Sequence, residues 1–165
     1  MVRAEWAIFE EDYWAITNAL EALVQSSQSK HVLLVDRAGQ MIAQTGADPE
    51  FDTQSFASLC AADFEANFAL AKLIGEDDFS TLYHQGAQDS MYLGKIAKGV
   101  VLVVLFNKST TLGLVRLRVK RAVEELDTII ESLYEKLEYR NEEYDASDES
   151  FTTEVEAEID SLFAE

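Results

Sequence analysis

Apolar residues recur every three or four positions from about residue 7 to residue 26. Phe9, Tyr13, Ile16, Leu20, Leu23 and Val24 form one stripe, which predicts a helix with a single buried face. The polar run "QSSQSK" ends it. At His31 the period changes. "HVLLVDRAGQMIAQTG" (31–46) holds two short apolar runs rich in branched residues, divided by Asp-Arg-Ala-Gly, and predicts a β-hairpin. The sole proline, Pro49, falls in the loop that follows. Asp52 or Thr53 can then cap a second helix running to Gly75.

That second helix has an unusual pattern. At ~100° per residue, Ser58, Glu65 and Lys72 fall on one narrow strip, and most other positions are apolar or alanine. A helix that is apolar most of the way round must bury more than one face. One face can cover the protein's own sheet, and the rest needs a second surface. Ala57, Ala61, Phe64 and Phe68 lie on the flank expected to meet it.

Residues 79–106 divide into three strands at Gly86 with Asp89 and at Lys98-Gly99. The last strand, "VVLVVLF", is apolar on both faces, as a covered central strand should be. A long third helix is predicted over about 110–137, with Leu112, Val115, Val119, Ala122, Val123, Leu126, Ile130, Leu133 and Leu137 as its stripe. The order is helix, two strands, helix, three strands, helix. It predicts an α+β fold, a five-stranded antiparallel sheet with helices packed on it. Residues 1–138 would form this domain. "EYRNEEYDASDES" then loses the periodicity, so an acidic flexible linker is expected over 139–152. A short partner-binding helix over 153–165 would close the chain, with Ile159, Leu162 and Phe163 as its apolar cluster.

Charge narrows the function. The chain carries a net charge of −18, and residues 139–165 contribute ten acids against Arg140 alone. Such a surface repels phosphate, which argues against nucleic-acid binding through a basic face. The longest purely apolar run, Val100 to Phe106, is far short of the ~20 residues needed to span a bilayer. The N-terminus lacks the basic start of a signal peptide, and Cys60 is the only cysteine, so a reduced cytoplasm is expected. The one basic stretch is Arg116, Arg118, Lys120 and Arg121. It reads either as a solvated face balanced by Glu124 and Glu125, or as a dock for an acidic element such as the chain's own tail.

No chemistry stands out. There is no GxxxxGK[ST] phosphate loop, no G-x-S-x-G, no H-E-x-x-H and no C-x-x-C. His31 and His84 have no second ligand at metal spacing and are read as structural, and Cys60 as a small buried hydrophobe. No carboxylate pair rises above the acidic background. The expectation is a protein without catalytic residues, cofactor or metal.

The phrases "LLVDRAGQMIAQTG", "FASLCAA", "LAKLIGE", "HQGAQDSMYL", "VVLVVLF", "TLGLVRLRVKRAVEEL" and "IDSLFAE", in this order, resemble the Roadblock family of dynein-light-chain-like domains, in its bacterial MglB-type branch. The resemblance implies a homodimer whose sheets join edge to edge and whose second helices lie side by side. It implies a Ras-like small GTPase of MglA type as partner, in cell polarity and motility, with the protein concentrated at a cell pole. Members of the branch act as GTPase-activating proteins without an arginine finger, by positioning the GTPase's own catalytic residues. Carried onto this chain, the contact would be Ala61, Phe64, Glu65, Phe68, Ala69 and Lys72. The tail contact, which aids nucleotide exchange, would be Ile159, Asp160, Leu162 and Phe163. One departure is visible. "ADFEANFA" puts Phe64, Glu65 and Phe68 where the branch has Gly-Asn and small residues, and this keeps a non-activating Roadblock scaffold as the alternative.

Overall fold

The computed structural model describes residues 10–162, with side chains described as far as Tyr139. Helix α1 spans Glu10–Ser27, strands β1 and β2 span His31–Val35 and Met41–Gly46, and helix α2 spans Thr53–Leu73. Strands β3 (Thr81–Gln85), β4 (Ser90–Lys95) and β5 (Val101–Phe106) follow, and helix α3 spans Leu112–Leu162. The order is the one the periodicities predict. The chain divides into two compact units, one ending at Glu131 and the other beginning at Ser132.

The five strands form one sheet in the order β2-β1-β5-β4-β3, with every neighbouring pair antiparallel. β1 and β5 lie side by side at its centre, and their unbroken apolar runs are explained by burial on both faces. On one face Leu33, Val35, Leu93, Val101 and Val103 pack with Ala57, Cys60, Ala61 and Phe64 of α2. The alternating residues Val32, Leu34, Leu102 and Val104 are fully buried too, so the opposite face is also covered. There α1 lies against β1 and β2. α3 crosses β4 at Gly94, where an added Cβ would meet Val119 and Val123 at 3.4 and 3.5 Å.

α1 buries Ile16, Ala19, Leu20 and Leu23, while Tyr13, placed on the stripe by its spacing, is largely exposed. Phe9 lies outside the described residues. The acids Glu10, Glu11 and Asp12 occupy its first turn, where they complement the helix dipole.

α3 departs from the sequence reading. The backbone stays helical from Leu112 to Leu162, through the 139–152 stretch expected to be an irregular linker. That stretch contains no proline and no glycine, and it holds Glu, Ala and Arg, which are good helix formers. Loss of the apolar stripe removes the packing face. It does not remove the backbone's capacity for i to i−4 hydrogen bonds.

Candidate functional site

α2 is fixed at both ends by side-chain and backbone caps. Asp52 is the N-cap. Its carboxylate accepts from the Gln54 N–H at 3.3 Å and from the Ser55 hydroxyl. The Ser55 bond chiefly holds the Asp52 carboxyl below its usual range. Desolvation opposes it, and the Gln54 and Ser55 N–H groups assist. At the other end the N–H groups of Ile74, Gly75 and Glu76 turn back to the carbonyls of Ala71, Lys72 and Ala71, with Gly75 at φ +85°. The β1–β2 turn locks onto the helix as well. The Gly39 carbonyl accepts from Gln54 Nε2 at 2.9 Å and Ser58 Oγ at 3.3 Å. Gly39 has φ +83°, and a Cβ there would lie 2.8 Å from Ser58 Cα, so only glycine fits this contact.

These anchors decide which way each side chain of α2 points. Ala61 and Phe64, expected on the contact surface, instead face the sheet and belong to the core. Tertiary packing assigns them there because they share a face with Ala57, Cys60 and Ala71, the other buried residues of this helix. Glu65, Phe68, Ala69 and Lys72 do reach the surface. Lys72 Nζ sits 5.3 Å from the centre of the Phe68 ring and 3.6 Å from Asp77, and Phe68 remains 37% exposed. Arg37 Nε donates to Glu65 Oε1 at 3.0 Å, so this flank is the one beside the β1–β2 turn.

The other flank is more apolar and was not singled out by the sequence reading. Leu59 is 69% exposed and Leu73 is 82%, with Leu70, Ala62 and Ala66 between them also exposed. The signal was present in the apolar all-round pattern of the helix, but that pattern does not say which apolar side faces the sheet. His84 Nε2 stands 2.8 Å from Asp63 Oδ2, and Asn67 Nδ2 donates to Asp63 Oδ1 at 3.0 Å. His84 lies on β3, so this second flank is the one beside that strand. Among the described residues β3 pairs only with β4 and its outer edge is unpaired, and most of its residues are exposed. α2 thus offers two surfaces: a leucine-rich flank next to an open strand edge, and a mixed flank of Glu65, Phe68, Ala69 and Lys72.

Of the expected tail contact, Ile159, Asp160 and Leu162 lie in the helical backbone of α3, while Phe163 lies outside the described residues. Among the described residues no group of three or more His, Cys, Asp or Glu could hold a metal ion, and no helix is long and apolar enough to cross a membrane. His31 is structural, as expected. It is buried, with Nδ1 donating to the Ala47 carbonyl at 2.9 Å and Nε2 facing the Gln44 amide at 3.1 Å.

Residues 16–106, from the middle of α1 to the end of β5, match the Roadblock/LC7 domain. The chain belongs to the Roadblock/LC7 family. Among solved structures, this Roadblock chain is 45% identical to Myxococcus xanthus MglB, with a TM-score of 0.71 over 73% of this chain and 91% of that one. It is 33% identical to the gliding protein MglB of Thermus thermophilus, with a TM-score of 0.70 over 73% and 92% of the two chains. A Roadblock/LC7 domain from Streptomyces avermitilis, 16% identical over 72% of this chain and 94% of its own, shares the fold with a TM-score of 0.56. No curated protein is similar enough to this chain to add to these comparisons.

Proposed function

We propose that this Roadblock chain is a homodimeric regulator of a Ras-like small GTPase of MglA type, serving bacterial cell polarity and motility in the cytoplasm, at a cell pole. The single observation that carries the proposal is the division of α2 into two exposed flanks, in a chain 45% identical to an MglB. The flank of Leu59, Ala66, Leu70 and Leu73 adjoins the open β3 edge, and together they suit self-association. Strand edges pair while the second helices bury each other's leucines. The flank of Glu65, Phe68, Ala69 and Lys72 is then left to face the GTPase. Its aromatic ring and flanking charges have the composition of a protein-binding patch.

In this reading hydrolysis stays in the partner. The Roadblock dimer holds the GTPase's own catalytic Arg and Gln in position and supplies no arginine finger. Arg37, which borders the flank, already has its Nε engaged by Glu65. Residues 139–152, helical in the structure, carry the segment 153–165, whose Ile159, Asp160, Leu162 and Phe163 are the second contact that aids nucleotide exchange.

The test is single-turnover GTP hydrolysis by the Ras-like GTPase of the same genome, with and without this protein. Acceleration of about ten-fold or more, about 1.4 kcal/mol of barrier, is the expected result. Arg37→Ala should retain it. Phe68→Arg should abolish GTPase binding while leaving the dimer intact. Binding without acceleration would establish the second reading, a non-activating scaffold, which the bulk of Phe68 favours. Phe64 no longer supports that reading, because its ring is in the core.

A further inference from the structure

The start of α3 differs in charge from the rest of the molecule. Arg116, Arg118, Lys120 and Arg121 stand within six residues of one another in a chain of net charge −18. Elsewhere among the described residues Lys30, Arg37, Lys72 and Lys95 pair with Asp89, Glu65, Asp77 and Asp78, and the cations without such a pair, Lys98 and Lys108, stand singly and not in a cluster. The four on α3 have no carboxylate partner among the described residues. Glu124 and Glu125 lie one turn beyond Lys120 and Arg121, yet neither pair forms an ion pair. With the base N-terminal to the acid, this is the weaker of the two orientations for such a pair. Leu117 sits among the cations and is 55% exposed. At ~100° per residue Leu117, Lys120 and Arg121 share one face, while Val115, Val119 and Ala122 are buried on another. The Nε of Arg118 is shielded from solvent and makes no hydrogen bond.

We propose that this face of α3 receives the acidic C-terminal segment, residues 142–165, of a second copy of the chain. Charge complementarity selects the segment, and the unbroken helix Leu112–Leu162 selects a second copy, because residues of one helix more than twenty positions apart cannot pack on each other. The segment holds ten acids and no base, the largest concentration of negative charge in the protein. Its apolar residues Phe151, Val155, Ile159 and Leu162 recur at spacings of four, four and three, with Glu154, Glu156, Glu158 and Asp160 between them. An apolar stripe bordered by carboxylates complements Leu117 bordered by cations. A two-fold pairing doubles the gain. Each copy's basic stretch meets the other's acidic stretch, so the contact is made twice. The surface is remote in sequence from α2, so the proposal does not depend on which partner α2 meets; the segment occupies this face when no GTPase is bound and leaves it to make the tail contact proposed above.

The experiment places photo-reactive p-benzoylphenylalanine at position 117 of the full chain. Copies of natural isotopic composition are mixed with 15N-labelled copies, irradiated at low salt and analysed by mass spectrometry. Cross-links from position 117 of one isotope to peptides within 142–165 of the other are expected. They should disappear in the Lys120→Glu, Arg121→Glu variant and weaken in about 0.5 M salt, where exposed charges are screened beyond ~4 Å. Both substitutions are at exposed positions. The salt arm tests the same dependence without any substitution in the basic face. Cross-links confined to one isotope, cross-links to residues outside 142–165, or no cross-links at all would each overturn the proposal.

Discussion

Phe64 and Phe68 lie one turn apart on the same helix and have different surroundings. Phe64 is packed among Leu33, Leu93 and Val103, whereas Phe68 keeps more than a third of its surface in solvent beneath Lys72. Their alanine variants should therefore separate. Phe64→Ala is expected to lower the unfolding free energy by about 3–5 kcal/mol through a cavity in the core, and Phe68→Ala by about 1 kcal/mol or less. Urea midpoints measure both, and equal losses would place Phe68 in the core as well. Cys60 provides a pH test at the same scale. Burial, reinforced by the Asp63 carboxylate, pushes its thiol from 9.0 up to about 12. The folded protein holds this proton where the unfolded chain releases it. The associated stability is fully present below pH 9 and is lost as pH rises from 9 to 12. Denaturation midpoints should thus fall more steeply above about pH 9 in the natural protein than in Cys60→Ala. Parallel curves for the two proteins would remove Cys60 as the source.

At the scale of elements, α2 carries the argument because it is asked to do two things with one apolar surface. Its sheet-facing side is fixed by Ala57, Cys60, Ala61 and Phe64, and its orientation is fixed by Asp52, Gly39 and the turn at Gly75. What remains outside is a row of leucines that a monomer has no use for, next to a strand edge with no partner among the described residues. Exposed apolar rows of this kind mark association surfaces. Placing a charge in the row should leave the monomer's own core untouched. The Leu70→Asp, Leu73→Asp variant is expected to give an unchanged far-ultraviolet spectrum and half the natural mass by light scattering. A variant that still runs as a dimer would move the self-association surface elsewhere.

At the scale of the molecule, the described core draws on residues from α1 to the first part of α3 and is built around two strands buried on both faces. The acidic C-terminal segment contributes charge out of proportion to its length. Deleting residues 147–165 removes seven acids and takes the net charge from −18 to −11. The expected change in melting temperature is below about 2 °C, a size that corresponds to less than 1 kcal/mol in a domain of this length. A large drop on deletion that is independent of protein concentration would mean that the segment belongs to the core, since the stabilisation from a contact between copies grows with concentration.

The sequence alone determined the elements and their order, because a period of 3.6 or 2 and the Gly, Asp and Pro punctuation are local properties of the chain. It also determined the central position of β5, since a strand apolar on both faces must be covered on both. Its phrases identified the Roadblock family, which the domain match and the MglB structures bear out. Two matters were left to the tertiary structure. The apolar surround of α2 did not reveal which side met the sheet. Ala61 and Phe64 went inward, and Leu59, Leu70 and Leu73 outward, only once the Gly39 turn, the Asp63–His84 pair and the helix caps had fixed the rotation of the helix. Likewise, the loss of an apolar stripe after Leu137 was mistaken for the loss of a helix. A stripe records what a helix packs against, and backbone hydrogen bonding can continue without one.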